Sequence, residues 1–135
     1  VLVIGAGSGY LAGCAARLAR DVLALERHAD LAQAATAALS EQSVDNTQVV
    51  VADAFAWTTD RRFSAILVAG AVDTIPQRFI DWLEPNGRMF IVRGRSPVME
   101  AVLVRNDVNA PRIQSLFETD LPYLAGAAPA PVFKF

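Results

Sequence analysis

Three glycines at alternate positions, Gly5, Gly7 and Gly9, directly follow the apolar run Val1–Ile4. A turn of this kind lets a ligand approach the backbone closely, because glycine has no side chain and accepts positive φ angles. Three interpretations are open: a dinucleotide site, a site for another nucleoside, or a tight turn without a ligand. The dinucleotide pattern G-x-G-x-x-G would require glycine at position 10, where this sequence has Tyr10.

The shorter G-x-G-x-G spacing, with Ala6 between the first two glycines, is typical of S-adenosylmethionine-dependent methyltransferases. Two carboxylates favour a nucleoside over an empty turn. Glu26 ends the second apolar run, where it can accept hydrogen bonds from both ribose hydroxyls; the alternative is an exposed loop carboxylate. Asp53 ends the third run and can accept a hydrogen bond from an adenine amino group, with Ala54 and Phe55 bordering the ring. Its alternative role is a helix N-cap.

Strand and helix patterns alternate along the chain and would bring these residues to one edge of a sheet. Apolar runs predict strands at Val1–Ile4, Val22–Leu25, Thr47–Val51, Phe63–Val68 and Met89–Val92, followed by a hairpin of Ala101–Arg105 and Arg112–Phe117. This order predicts one α/β domain over residues 1–135: a Rossmann-like, doubly wound, mainly parallel sheet with a C-terminal antiparallel hairpin. Ligands of such sheets bind at the carboxyl ends of the strands, near the point where strand order reverses.

Helices are predicted at Tyr10–Ala19, at Ala29–Ser40 and from Thr74 to Leu83, with Thr74 as the cap of the third and Pro76 in its first turn. Helical spacing predicts that the first two bury Leu11, Cys14, Ala15 and Leu18, and Leu31, Ala34, Ala35, Ala38 and Leu39. Pro85–Gly87 is expected to form a turn, and residues 125–131 an irregular tail.

Composition excludes several classes of function. The net charge is −2, and no block of basic residues indicates a nucleic acid or membrane partner. The longest apolar run, Ala65–Val72, is too short to cross a bilayer, which needs about 20 residues. One cysteine and one histidine argue against a protein-only metal site and are consistent with a cytoplasmic protein.

Several segments resemble the protein-L-isoaspartate O-methyltransferase family. The matching segments are the glycine turn Ile4–Tyr10, the pair Glu26-Arg27, Asp53 with Trp57 four residues later, Ile75-Pro76, and the turn Leu83–Met89. The resemblance covers residues 1 to about 105, with a looser match over 116–124. For Trp57 itself, packing is the favoured role.

The resemblance implies S-adenosyl-L-methionine as cofactor. The expected contacts are Gly5, Ala6, Gly7, Gly9, Glu26, Arg27, Asp53, Ala54, Ala69 and Gly70, with Ala69 and Gly70 beside the reactive methyl group. Three segments depart from the family pattern. Ala52-Asp53-Ala54 stands where the family has G-D-G, which narrows the space beside adenine. Ala69–Ala71 replaces Thr-Ala-Ala, and Val92–Gly94 replaces Pro-Val-Gly, which places Arg93 near the substrate side.

The implied reaction is methylation of the carboxylate of an isoaspartyl residue in a damaged protein by a monomeric enzyme. A carboxylate is already ionised at neutral pH, since its pKa is near 4, so no strong base is needed. The family has a Ser/Thr-containing segment before the glycine turn, whereas this sequence begins at Val1. We therefore expect an upstream segment to be missing, assign no catalytic residue, and expect these 135 residues alone to be inactive.

Three alternative functions remain open at this point. They are a methyltransferase-like domain that binds the cofactor weakly or not at all, an O-methyltransferase for another acceptor, and an NAD-dependent oxidoreductase. Tyr10 argues against the last.

Overall fold

The predicted alternation of strands and helices is present in the computed structural model, which describes residues 1–129. The elements are, in chain order, β1 (Leu2–Ile4), α1 (Tyr10–Ala16), β2 (Val22–Glu26), α2 (Ala29–Glu41), β3 (Thr47–Val51), β4 (Phe63–Val72), α3 (Gln77–Asp81), β5 (Leu83–Arg95), β6 (Val98–Asn106) and β7 (Pro111–Thr119). Of the predicted irregular tail, residues 125–129 contain no helix or strand, and the remainder lies outside the described residues.

All seven strands form one sheet in the order β3-β2-β1-β4-β5-β6-β7. The first five are parallel, and β6 and β7 extend the sheet as an antiparallel meander, which confirms the predicted fold class. The short strand β1 lies between β2 and β4, with Val3 opposite both Ala24 and Leu67. Strand order reverses at this point, so the glycine turn that follows β1 lies at the switch point.

The sheet has apolar side chains on both faces, which explains why its central strands are unbroken apolar runs. Leu2 and Ile4 of β1 contribute to the larger core, on the side of α3. Val3, between them in sequence, contributes to a second core of small residues beneath α1 and α2. Successive side chains of a strand point to opposite faces, so one three-residue strand supports both cores.

The predicted buried face of α1 is wrong in part. The helix ends at Ala16, and Leu18, beyond its end, is 91% exposed. Cys14 is also exposed rather than a core residue. The buried residues of α1 are small, namely Ala12, Gly13, Ala15 and Ala16. A methyl group at Gly13 would lie 3.4 Å from Leu39 Cδ2, so α1 and α2 approach too closely for large side chains on this face.

Two other local predictions change in detail. In α2, Ala35 and Leu39 are buried as predicted, but Leu31 and Ala34 are exposed and Ala32 is buried. Helix α3 has only five residues, and its N-cap is Pro76, with no side-chain capping bond from Thr74. The turn expected at Pro85–Gly87 is an irregularity within β5, where the pairing with β4 shifts register.

Substitution of Phe79 tests the aromatic cluster that α3 forms with the turn after β3. Phe79 is fully buried, with ring centroids 5.7 Å from Phe55 and 5.3 Å from Trp82. Phe79→Ala should lower the free energy of unfolding by about 3–5 kcal/mol in urea denaturation, since it leaves a cavity. Phe117→Ala is the control, because Phe117 is 55% exposed, and should cost less than about 1 kcal/mol. If the two substitutions lowered the free energy of unfolding by the same amount, this description of the core would be contradicted.

Candidate functional site

A cavity of about 410 Å³ opens at the carboxyl ends of β1 to β4, beside the switch point. Its size falls within the range of small-molecule sites, about 300–1,000 Å³. The lining residues come from four strand ends and from a segment after β7: Ile4, Gly5, Gly7, Leu25, Glu26, Arg27, His28, Ala52, Asp53, Ala54, Phe55, Ala69, Gly70, Leu121, Pro122, Tyr123, Leu124 and Ala125.

The glycine turn has the backbone geometry that its sequence predicts. Gly5, Gly7 and Gly9 have φ angles of +89°, +52° and +84°, a region that L side chains rarely adopt. The N–H groups of Gly5 and Ala6 both donate to the Leu25 carbonyl, at 2.8 and 3.1 Å, which ties the turn to the end of β2. Apart from Gly7 and its two chain neighbours, no described residue lies within 4 Å of the position of a Cβ on Gly7, and this glycine lines the cavity.

Glu26 is 7% exposed and is held by two backbone donors. Its Oε1 accepts the Gly7 N–H at 3.0 Å, and its Oε2 accepts the His28 N–H at 3.1 Å. The alternative of an exposed loop carboxylate is therefore wrong. An ionised carboxylate has about four acceptor positions, so two remain for a ligand with a pair of hydroxyl groups.

Asp53 organises a turn after β3 rather than the start of a helix. Its Oδ1 accepts the Phe55 N–H at 3.0 Å, and its carbonyl accepts the N–H groups of Ala56 and Trp57 at 2.9 and 2.8 Å. Arg78 of α3 holds the same turn, because its Nη1 donates to the carbonyls of Phe55 and Trp57. Sequence reasoning missed Arg78, since nothing in its local pattern indicates a partner 23 positions away.

Two further side chains near the site have packing or electrostatic partners of their own. Trp57 does not line the cavity and packs edge-on against Trp82, with the ring centroids 5.2 Å apart.

Arg93 of β5 donates to Glu100 Oε1 from Nε and Nη2, at 3.0 and 2.8 Å. This pairing, with the Ser115 hydroxyl on Oε2, holds the pKa of Glu100 below its ordinary value. The charge expected at the substrate side is thus paired, and Arg93 lies outside the cavity lining.

Eight of the ten predicted contact residues line the cavity: Gly5, Gly7, Glu26, Arg27, Asp53, Ala54, Ala69 and Gly70. The other two, Ala6 and Gly9, lie outside the lining. Ala6 is 4% exposed and belongs to the core beneath α1 and α2. A methyl group at Gly9 would lie 3.2 Å from the Ala35 carbonyl oxygen, so this glycine allows α1 to approach α2. Contact of any of the ten with a cofactor stays a prediction.

Sequence reasoning did not foresee the segment Leu121–Gly126, which we call the strap. It follows β7 and returns across the carboxyl edge of the sheet, where Tyr123 pairs with Ala71 at the end of β4. Five strap residues, Leu121–Ala125, line the cavity. Two signals for it were the looser family match over 116–124 and the apolar, proline-containing sequence Leu121–Leu124.

Two negative findings apply to residues 1–129. No three His, Cys, Asp or Glu side chains lie close enough together to hold a metal ion. In the same part of the chain, no helix is both long and apolar enough to cross a membrane.

The curated proteins that this chain is similar to share one name. The chain is 44% identical over 88 residues to protein-L-isoaspartate O-methyltransferase 2 of Rhodopseudomonas palustris (strain HaA2), an alignment that covers 64% of this chain and 41% of that protein. It is 34% identical over 110 residues to the Nitrosococcus oceani protein of the same name, covering 81% and 50%. The chain thus spans about half the length of the curated relatives it matches.

Solved structures share the fold. A protein-L-isoaspartate O-methyltransferase superposes with a TM-score of 0.81 at 21% identity, covering 91% of this chain and 41% of that one. A Plasmodium falciparum structure, described as a beta-aspartate methyltransferase (PCMT) in complex with S-adenosyl-L-homocysteine, superposes with a TM-score of 0.79 at 21% identity, covering 91% and 64%.

The family model named Protein-L-isoaspartate(D-aspartate) O-methyltransferase (PCMT) matches residues 1–118, which is most of the chain. The glycine turn, Glu26 and Asp53, three of the segments that resemble this family in sequence, lie around one cavity in the structure. The chain belongs to the protein-L-isoaspartate O-methyltransferase family.

Proposed function

We propose that this chain is the S-adenosylmethionine-binding core of an enzyme that methylates the carboxylate of isoaspartyl residues in damaged proteins. The observation that carries the proposal is the position of Glu26. Its buried carboxylate faces a cavity at the switch point and is held by the N–H of Gly7 from the glycine turn. Family membership supports the reaction and the acceptor, because the curated relatives are named for it.

The lining residues offer suitable groups for each part of this cofactor: the adenine, the ribose and the methionine portion. Asp53 uses Oδ1 within its own turn and has Oδ2 to accept an amino hydrogen of adenine, while Phe55 offers an apolar surface to the ring. Glu26 has two acceptor positions for the ribose hydroxyls. Gly7 offers open space for the methionine portion, since no described atom surrounds the position of its Cβ.

The departure at Ala54 does not oppose this fit. Its side chain is 7% exposed and belongs to the larger core, so most of the added methyl group packs into the protein. At this position, the structure therefore gives no support to the alternative of a domain that has lost its cofactor site.

The chemistry requires little of the protein beyond binding and alignment. When bound, S-adenosylmethionine would supply a sulfonium methyl group, to which a carboxylate oxygen forms a bond while the electrons of the breaking C–S bond return to sulfur. Ala69, a small and exposed residue of β4 that lines the cavity, leaves room at the switch point for an approaching acceptor. Apolar residues of β1, β4 and the strap border the cavity, and alignment of the acceptor with the methyl group would supply the main rate enhancement.

Titration with S-adenosylhomocysteine tests the cofactor site through Glu26. The chain should bind this ligand in isothermal titration calorimetry, and Glu26→Gln should weaken binding about 10- to 100-fold, because charged hydrogen bonds to the ribose are lost. Glu41→Gln is the matched control, since Glu41 is exposed at the end of α2. No binding by the unaltered chain, while NADH binds, would overturn the proposal in favour of an oxidoreductase.

The acceptor is tested on the full-length gene product. It should transfer labelled methyl groups from S-adenosylmethionine to a peptide with one isoaspartyl residue, and not to the same peptide with ordinary aspartate. Ester formation is followed by the base-labile release of label. Methylation of both peptides alike, or of neither despite tight binding of S-adenosylhomocysteine, would show that another acceptor is the substrate.

Arg78 is expected to position the adenine end of the site without touching the ligand. Arg78→Met removes both hydrogen bonds from Arg78 Nη1 to the carbonyls of Phe55 and Trp57 and should weaken S-adenosylhomocysteine binding about three- to tenfold. Arg78→Lys, which can restore one of the two hydrogen bonds, should recover part of the loss. Arg88→Met is the control, since Arg88 is an exposed residue of β5. An Arg78→Met affinity equal to that of the control would exclude this role.

A further inference from the structure

The strap is fastened to the ends of two strands by three hydrogen bonds. The Ala71 N–H donates to the Pro122 carbonyl at 2.9 Å, and the Leu124 N–H donates to the Ala71 carbonyl at 2.9 Å. The Tyr123 hydroxyl donates to the Gly94 carbonyl at the end of β5, also at 2.9 Å. These bonds fix the strap's backbone over β4 and determine where its side chains lie.

Leu124 is the strap residue whose side chain enters the switch point. A methyl group at Gly70 would lie 2.8 Å from Leu124 Cδ2 and 3.0 Å from Cγ, and one at Gly5 would lie 3.5 Å from Cδ2. The side chain therefore occupies the gap between the carboxyl ends of β1 and β4. Gly70 does not have a positive φ angle, so its lack of a side chain is explained by Leu124 rather than by backbone strain.

The strand order indicates which part of a bound nucleoside would meet Leu124. Asp53 follows β3 and Glu26 ends β2, so adenine and ribose lie over those strands in the proposed function. The next strands in the sheet are β1 and β4, whose ends carry Gly5 and Gly70. A ligand extended along this edge brings its sulfur to the gap that the Leu124 side chain borders.

We propose that Leu124 forms the wall of the cavity that faces the alkyl group on the sulfonium, and that it sets the size of the group that can be carried there. This inference rests on the proposed function, because it assumes that a sulfonium nucleoside occupies the cavity. Leu124 is half-buried and packs against the larger core, so the wall is apolar and supported from behind. It would select a methyl donor over donors of larger groups.

The test compares two ligands that differ by one methylene group, S-adenosylmethionine and its S-ethyl analogue, by isothermal titration calorimetry. The unaltered chain should prefer the S-methyl compound. Leu124→Ala opens space at the wall and should shift the ratio of the two affinities about tenfold in favour of the S-ethyl compound, the scale of one methylene in an apolar pocket. Leu124→Met, of similar volume, should keep the original ratio.

Leu116→Ala is the matched control, because Leu116 is a 42% exposed leucine of β7 outside the cavity lining. It should leave the ratio within about twofold of the original. A purely structural role of Leu124 would weaken both ligands equally, so a ratio unchanged by Leu124→Ala overturns the inference while leaving the proposed function intact. If circular dichroism shows that Leu124→Ala is unfolded, Leu124→Val is judged by the same criterion. An unaltered chain that binds neither ligand overturns the proposed function and this inference together.

Discussion

The buried carboxylate of Glu26 is the interaction on which the arrangement of the site depends. Among residues 1–129, it is the one charged residue that is buried. Burial of a carboxylate is unfavourable unless hydrogen bonds replace its lost water. Here the donors are the N–H groups of Gly7 and His28, so the charge joins the glycine turn after β1 to the start of α2. The hydrogen bonds that stabilise Glu26 therefore also hold in place Gly7 and His28, two residues that line the cavity.

This constraint explains why the three glycines have different roles. Gly5 turns the chain at the end of β1, where its N–H bonds to Leu25, and Gly7 presents its N–H to Glu26. Gly9 instead faces Ala35 of α2, where a methyl group would lie 3.2 Å from the Ala35 carbonyl oxygen, closer than ordinary van der Waals contact. The first two glycines border the cavity, whereas the third positions the helix that follows. The three glycines form one motif in the sequence, but Gly5 and Gly7 border the ligand cavity and Gly9 serves helix packing.

The sequence was sufficient to predict the sheet and the part of the cavity lining that follows its strands, because both depend on local patterns. Unbroken apolar runs predicted the parallel strands, and the residues that end those runs lie together once the strands are parallel. The buried face of α1 was not predictable from spacing alone, since its buried residues are all small and Gly13 among them lies close to Leu39 of α2. Arg78 and the strap were missed for a related reason: each acts through backbone contacts with distant residues, which leave no periodic signal.

The departure from the family pattern at residue 70 gains a physical meaning from the strap. The family's Thr-Ala-Ala is Ala69-Gly70-Ala71 here, which in sequence looks like the loss of a hydroxyl and a methyl group near the reacting centre. In the structure, the space that a Cβ of residue 70 would need is occupied by Leu124 Cδ2, 2.8 Å from that position. The methyl group missing from β4 is therefore replaced by an apolar group supplied from the strap. Because the Leu124 N–H donates to the Ala71 carbonyl, the backbone that carries this apolar group is fixed to the end of β4. The two positions, 54 residues apart in the chain, are best understood as one packing unit, in which glycine at 70 is the condition for leucine at 124.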